Sequence, residues 1–149
     1  MHLDGARLFN GVVASGVAAE IFGSYFDTVS ICLSKGLGCP VGSVIAGSKQ
    51  DIQGKGLRLR KVLGGGMRQA GVIAAAGVYA LDHHIERLAE DHQHAKKFSQ
   101  SILDNPNFDL EFPVETNMVW IRIKEGVDKD AHAFAQDFLD KGIKVMAIS

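Results

Sequence analysis

Apolar and polar positions alternate along the chain in short segments whose period switches between helical and extended. Residues 8–14 repeat their apolar side chains at helical spacing and stop at Gly16, and residues 18–22 predict a further helical turn. Residues 28–33 are β-branched and alternating, a strand ending at Ser34 and Lys35, after which Gly36, Gly38 and Pro40 break the pattern. Residues 41–47 predict a second strand, antiparallel to the first because the glycine-rich connection is tight. Ser48 is the N-cap of a helix carrying Lys55, Arg58, Arg60 and Lys61, and Gly64-Gly65-Gly66 ends it. From residue 69 to about 104 the pattern is helical, apolar at Val72, Ala75, Ala76, Tyr79 and Ala80, with one bend.

Composition changes at Asp104-Asn105-Pro106-Asn107, the candidate domain boundary. Beyond it, residues 108–112 and 117–123 alternate as strands, residues 128–140 predict an amphipathic helix followed by Gly142, and residues 143–148 predict a third strand. Two strands, a helix and a strand make an α+β unit, whereas residues 1–100 have the order of part of an α/β layer fold.

Hydrophobic residues at 46% and charged residues at 22% are those of a globular chain, and 149 residues bury roughly 70% of their unfolded surface when they fold alone. A net charge of −1, with one tryptophan and two tyrosines, gives little support to nucleic-acid binding. No apolar run reaches the roughly 18 residues of a membrane span. Cys32 and Cys39 are too few for a disulfide framework, so a reducing, cytoplasmic setting is expected. The chain starts inside a functional-looking stretch and stops on an apolar run, which is expected of a piece of something longer.

Four groups of residues could carry chemistry. Lys35 sits at a strand end among small residues, where ligands of α/β folds collect; a lone lysine there is usually a solvated charge, but it is also the side chain that condenses with carbonyl groups. Asp4 and Arg7 stand at a strand-to-helix turn, either as a cap and surface ion pair or as a carboxylate facing a ring nitrogen and a fork for a carboxylate. Gly64-Gly65-Gly66-Met67-Arg68 offers bare backbone amides and a charge to a phosphate, or is simply a flexible turn. His83, His84, His92 and His94 lack the companions of a metal set, and a polar, partly exposed helix accounts for them.

Three stretches in this order carry a resemblance: His2-Leu3-Asp4-Gly5-Ala6-Arg7-Leu8-Phe9-Asn10, residues 30–43 around Ser34-Lys35-Gly36, and residues 60–71 around Gly64-Gly65-Gly66-Met67-Arg68-Gln69. Together they resemble the low-specificity L-threonine aldolases, pyridoxal 5'-phosphate lyases of the aspartate-aminotransferase fold type. The resemblance implies the C-terminal portion of the large cofactor-binding domain over residues 1–103 and an incomplete small domain over 104–149. It implies Lys35 as the Schiff-base lysine, Asp4 as partner of the pyridine nitrogen and Arg7 as a contact to cofactor or substrate carboxylate. Lys61 and Arg68 would lie near the cofactor phosphate, reaching it from a neighbouring subunit. The implied reaction is cleavage of a β-hydroxy-α-amino acid to glycine and an aldehyde, in a dimer-based tetramer.

Against that family the chain lacks an N-terminal part, with its phosphate loop and ring-stacking histidine, and a C-terminal arginine for the substrate carboxylate. The expectation is therefore a polypeptide that is unstable or inactive by itself. The other reading is a non-catalytic remnant that at most associates with intact subunits.

Overall fold

The computed structural model describes residues 1–148. Its first half is built on a three-stranded sheet in the order β1 (His2–Asp4), β2 (Thr28–Cys32), β3 (Ser43–Gly47). β1 and β2 run parallel, with His2 opposite Thr28 and Asp4 opposite Ser30, while β3 returns antiparallel, Cys32 opposite Ser43. Between β1 and β2 the chain makes α1 (Leu8–Ser15) and α2 (Ala19–Ser24), the crossover that parallel neighbours require. Gly16 ends α1 in the left-handed conformation at φ 70°, donating its N–H to Val12.

After β3, Ser48 caps the next helix as its sequence predicts: its hydroxyl accepts the Asp51 N–H and donates to the Asp51 carboxylate. The helix opens wide, as a π-helical stretch over Gln50–Gly56, before α3 (Leu57–Val62). Gly56 permits this, because a Cβ there would stand 3.0 Å from the Asp51 carbonyl oxygen.

The single bent helix expected over residues 69–104 is two helices, α4 (Gly71–His83) and α5 (Leu88–Leu103). No proline or glycine marks the break at residues 84–87. Tertiary contacts set it: His84 turns its ring onto the loop after β2, and Leu88, wholly buried, restarts the helix on the opposite side of that loop. α5 then buries one stripe, Leu88, His92, Ala95, Ser99 and Ile102, the spacing of a helix face. The core beneath the loop is Leu33, Leu37, Cys39 and Ala80, with Phe9, Ala76 and Ile85 packed on it. Gly77 admits the contact, since a Cβ at that point would lie 3.1 Å from Leu33 Cδ1.

Beyond α5 lie β4 (Phe108–Leu110) and β5 (Ile121–Ile123), an antiparallel pair, and α6 (Ala131–Asp140). Asp109 faces Arg122 across this pair, and the guanidinium reaches it at 3.2 Å and Glu111 at 3.6 Å. Phe108 is buried, with the rings of Phe134 and Phe138 of α6 against it at centroid separations of 4.8 and 6.0 Å. Three expectations change here. β5 covers only the end of residues 117–123; α6 begins after Asp130, whose carboxylate accepts the Ala133 N–H, rather than at Asp128; and residues 143–148 form no strand. An alternating apolar run becomes a strand only where a neighbour completes its ladder, and none of the described strands lies beside it, leaving Met146 and Ile148 exposed.

Candidate active site at the end of the parallel strands

Parallel pairing brings the ends of β1 and β2 to one edge of the sheet, and that edge carries Asp4 and, three residues past Cys32, Lys35. Neighbouring strands stand about 4.8 Å apart, so the register that sets Asp4 beside Ser30 puts the two functional groups on adjacent exits of the same edge.

Each is seated by a glycine that no other residue could replace without displacement. A Cβ on Gly5 would come within 2.9 Å of the Ser30 carbonyl oxygen and 3.0 Å of Val29, so only glycine lets the chain leave β1 this close to β2. A Cβ on Gly36 would meet Leu88 Cδ2 at 2.7 Å and Asn10 Oδ1 at 3.5 Å. Consequently α1 and α5 both press on the residue next to Lys35.

The Asp4 carboxylate is oriented by its own backbone, Oδ1 accepting the Ala6 N–H at 3.1 Å, and has no ionic partner among the described residues. The cap-and-ion-pair alternative for Asp4 and Arg7 is thereby not what the structure contains: Arg7 is the N-cap of α1 without a side-chain bond, and no Asp4–Arg7 ion pair forms. Arg7, exposed, lines a narrow crevice with Cys32, Gly36 and Leu37, which puts its backbone next to the lysine turn. Lys35 is exposed, and its carbonyl accepts the Gly38 N–H at 2.8 Å, closing the turn that presents the amine.

Lys61 and Arg68 are not gathered with these three. The π-helical stretch and α3 lie at the opposite end of the sheet, where Lys55 and Leu59 line a groove with Asp27 and with His2 and Thr28 at the starts of β1 and β2. Lys61 follows in the last turn of α3, and Arg68 lies in the exposed stretch leading to α4; neither side chain has a hydrogen-bonding or ionic partner among the described residues.

The histidines take separate roles rather than a common one. His92 is buried, contrary to the partly exposed face expected of it, and its Nε2 accepts from the Asn10 amide at 3.1 Å. Burial holds its imidazole below the usual histidine pKa, which keeps Nε2 free to accept. His84 Nδ1 bonds the Leu37 carbonyl at 2.6 Å. Sequence reasoning missed the roles of Asn10, His84 and His92; the adjacent pair His83-His84, closing an apolar helical run, was the one local signal available.

The donor set fits pyridoxal phosphate at its ring end: a primary amine and a carboxylate, both exposed, follow adjacent parallel strands at one end of the sheet. No helix among the described residues is long and apolar enough to cross a membrane.

Comparison with known proteins gives the family of the chain. Residues 1–125 match the family model for beta-eliminating lyases. Over 125 residues the chain is 45% identical to a low specificity L-threonine aldolase of Escherichia coli K12, a span of 84% of this chain and 37% of that protein. It is 42% identical over 147 residues to a probable low-specificity L-threonine aldolase of Arabidopsis thaliana, covering 98% of this chain and 41% of the relative. A crystal structure described as an L-allo-threonine aldolase from Listeria monocytogenes EGD-E superposes with a TM-score of 0.76 at 25% identity, over 99% of this chain and 42% of that one. The chain thus spans about two fifths of the length of these relatives.

Proposed function

Since the chain belongs to the beta-eliminating lyase family, we propose that it carries the lysine-bearing part of a threonine-aldolase-type site, which cleaves a β-hydroxy-α-amino acid to glycine and an aldehyde. The observation that supports this most is the exit of Asp4 and Lys35 from adjacent parallel strands at one edge. Pyridoxal 5'-phosphate, when bound, supplies the electron sink that weakens a bond to the substrate Cα.

The chain's own residues divide the remaining work. Lys35 would hold the cofactor's carbonyl end through its Nζ. Asp4, already fixed by Ala6, keeps a proton on the ring nitrogen by opposite-charge attraction. Arg7 offers its unpaired fork to the substrate carboxylate, and clamping that group selects which bond to Cα stands in line to break. Lys61 and Arg68, distant from partners in their own chain, bind the phosphate of a neighbouring chain's site, so a homo-oligomer is part of the reading. The division at residues 103 and 104 between a cofactor-binding portion and a smaller C-terminal portion belongs to the same proposal, as does a cytoplasmic setting.

The test is glycine release from L-threonine with added pyridoxal phosphate. Activity that vanishes in Lys35→Ala, and whose value per chain falls on dilution as shared sites come apart, supports the reading; activity that survives Lys35→Ala contradicts it. A second reading draws on one observation, the exposed apolar residues Val44, Ile45, Leu57, Leu59 and Leu63 along β3 and α3. In it the chain is a non-catalytic associate of longer subunits, and no glycine is released at any concentration.

A further inference from the structure

We propose that His84 is a positioning residue for Lys35. This rests on the assignment of Lys35 as the cofactor-binding amine, and extends it to a side chain far from that lysine in sequence. The turn that presents Lys35 is short and has few internal bonds: Gly38 donates to the Lys35 carbonyl at 2.8 Å, and Cys39 donates to the Leu33 carbonyl at 3.0 Å. Between those two bonds the Leu37 carbonyl has no backbone donor among the described residues, and among them the only side chain that reaches it is His84, whose Nδ1–H donates at 2.6 Å across 47 residues of sequence.

His84 is well placed to hold that bond. It is the C-cap of α4, with its own N–H donated to Ala80 at 2.8 Å, so the ring springs from a fixed backbone. Its ring is met edge-on by Tyr79 at a centroid separation of 5.5 Å. The ring lies against the left-handed Gly38, at φ 74°, where a Cβ would be in ordinary contact with Nδ1 at 3.6 Å. Both the neutral Nδ1–H form and the imidazolium can donate to a carbonyl, so the tie does not depend on the charge of the ring. Leu37 itself is buried in the core shared with Ala80, which leaves the carbonyl little freedom to find water instead. Thus α4 holds the far side of the turn by a polar bond, and α5 holds Gly36 by packing.

Two variants separate the bond from the bulk. Asn in His84→Asn can set its amide where Nδ1 stands, whereas His84→Leu keeps volume and loses the donor. Two readouts are taken: exchange of the Gly38 amide by NMR without cofactor, and the rate at which Lys35 is trapped by pyridoxal phosphate and borohydride, mapped by peptide mass. Loss of one partly buried hydrogen bond predicts both readouts to change about five- to tenfold in His84→Leu, faster exchange and slower trapping, with His84→Asn close to wild type. A folded His84→Leu that exchanges and traps like wild type overturns the proposal. If His84→Leu does not fold, His84→Asn decides: wild-type exchange and trapping support the tie, and their loss in a folded protein overturns it. A wild type that exchanges slowly at Gly38 but shows no preference for Lys35 in trapping overturns the cofactor reading, and with it the positioning role, leaving only a structural bond.

Discussion

At the scale of single residues, the candidate site depends on groups that never touch a substrate. Gly5 and Gly36 let two chain segments approach where a methyl group would collide, and so fix where Asp4 and Lys35 emerge. Behind Gly36 the buried Asn10–His92 pair links α1 to α5. Burial lowers the His92 pKa, so the folded state resists a proton that the unfolded chain accepts near pH 6.5. Stability from this source is fully present above that pH and declines as pH falls from about 6.5 toward the lower folded value. Urea midpoints measured between pH 8 and 5 are expected to fall across that window, and to fall less in His92→Gln, which can still face Asn10 but does not titrate. The places of Asp4 and Arg7 at a strand-to-helix turn and of Lys35 past a strand end were legible locally, whereas the roles proposed for them came from the resemblance. His84 and His92 were not, since their partners lie 47 and 82 residues away and a histidine within a helical run looks alike whether it faces solvent or the core.

Among the elements, two helix starts carry side-chain caps, and the strands followed their neighbours. Ser48 and Asp130 each accept the N–H three residues on, and both stand at the start of a helix. Removing the α6 cap with Asp130→Ala is expected to cost about 1 kcal/mol, read as a lower urea midpoint at unchanged slope. No change would show that the packing of Phe134 and Phe138 on Phe108 holds α6 without its cap. Residues 143–148 carry the alternation of a strand but lie beside no ladder, and the break between α4 and α5 has no glycine or proline to announce it. The first lacks a partner strand and the second is broken by partners remote in sequence, so periodicity alone predicts a strand that does not form and a helix without its interruption.

For the whole molecule, the arrangement separates the end of the sheet proposed to bind the cofactor ring from the arm proposed to bind its phosphate. Asp4, Arg7 and Lys35 share the exit end of β1 and β2, whereas Lys61 is in the last turn of α3, a helix near the opposite end of those strands, and exposed apolar residues lie along β3 and α3. Under the proposed function, such a surface would serve assembly, one chain completing the site of another. The most direct test of the account is to trap pyridoxal phosphate on the chain with borohydride and locate it by peptide mass, in wild type and in Asp4→Asn. The account predicts modification of Lys35 in preference to the other lysines, reduced about tenfold in Asp4→Asn by loss of a charge-assisted bond to the ring. Label scattered over surface lysines without favour to Lys35, or the same yield at Lys35 with and without the Asp4 carboxylate, would contradict it.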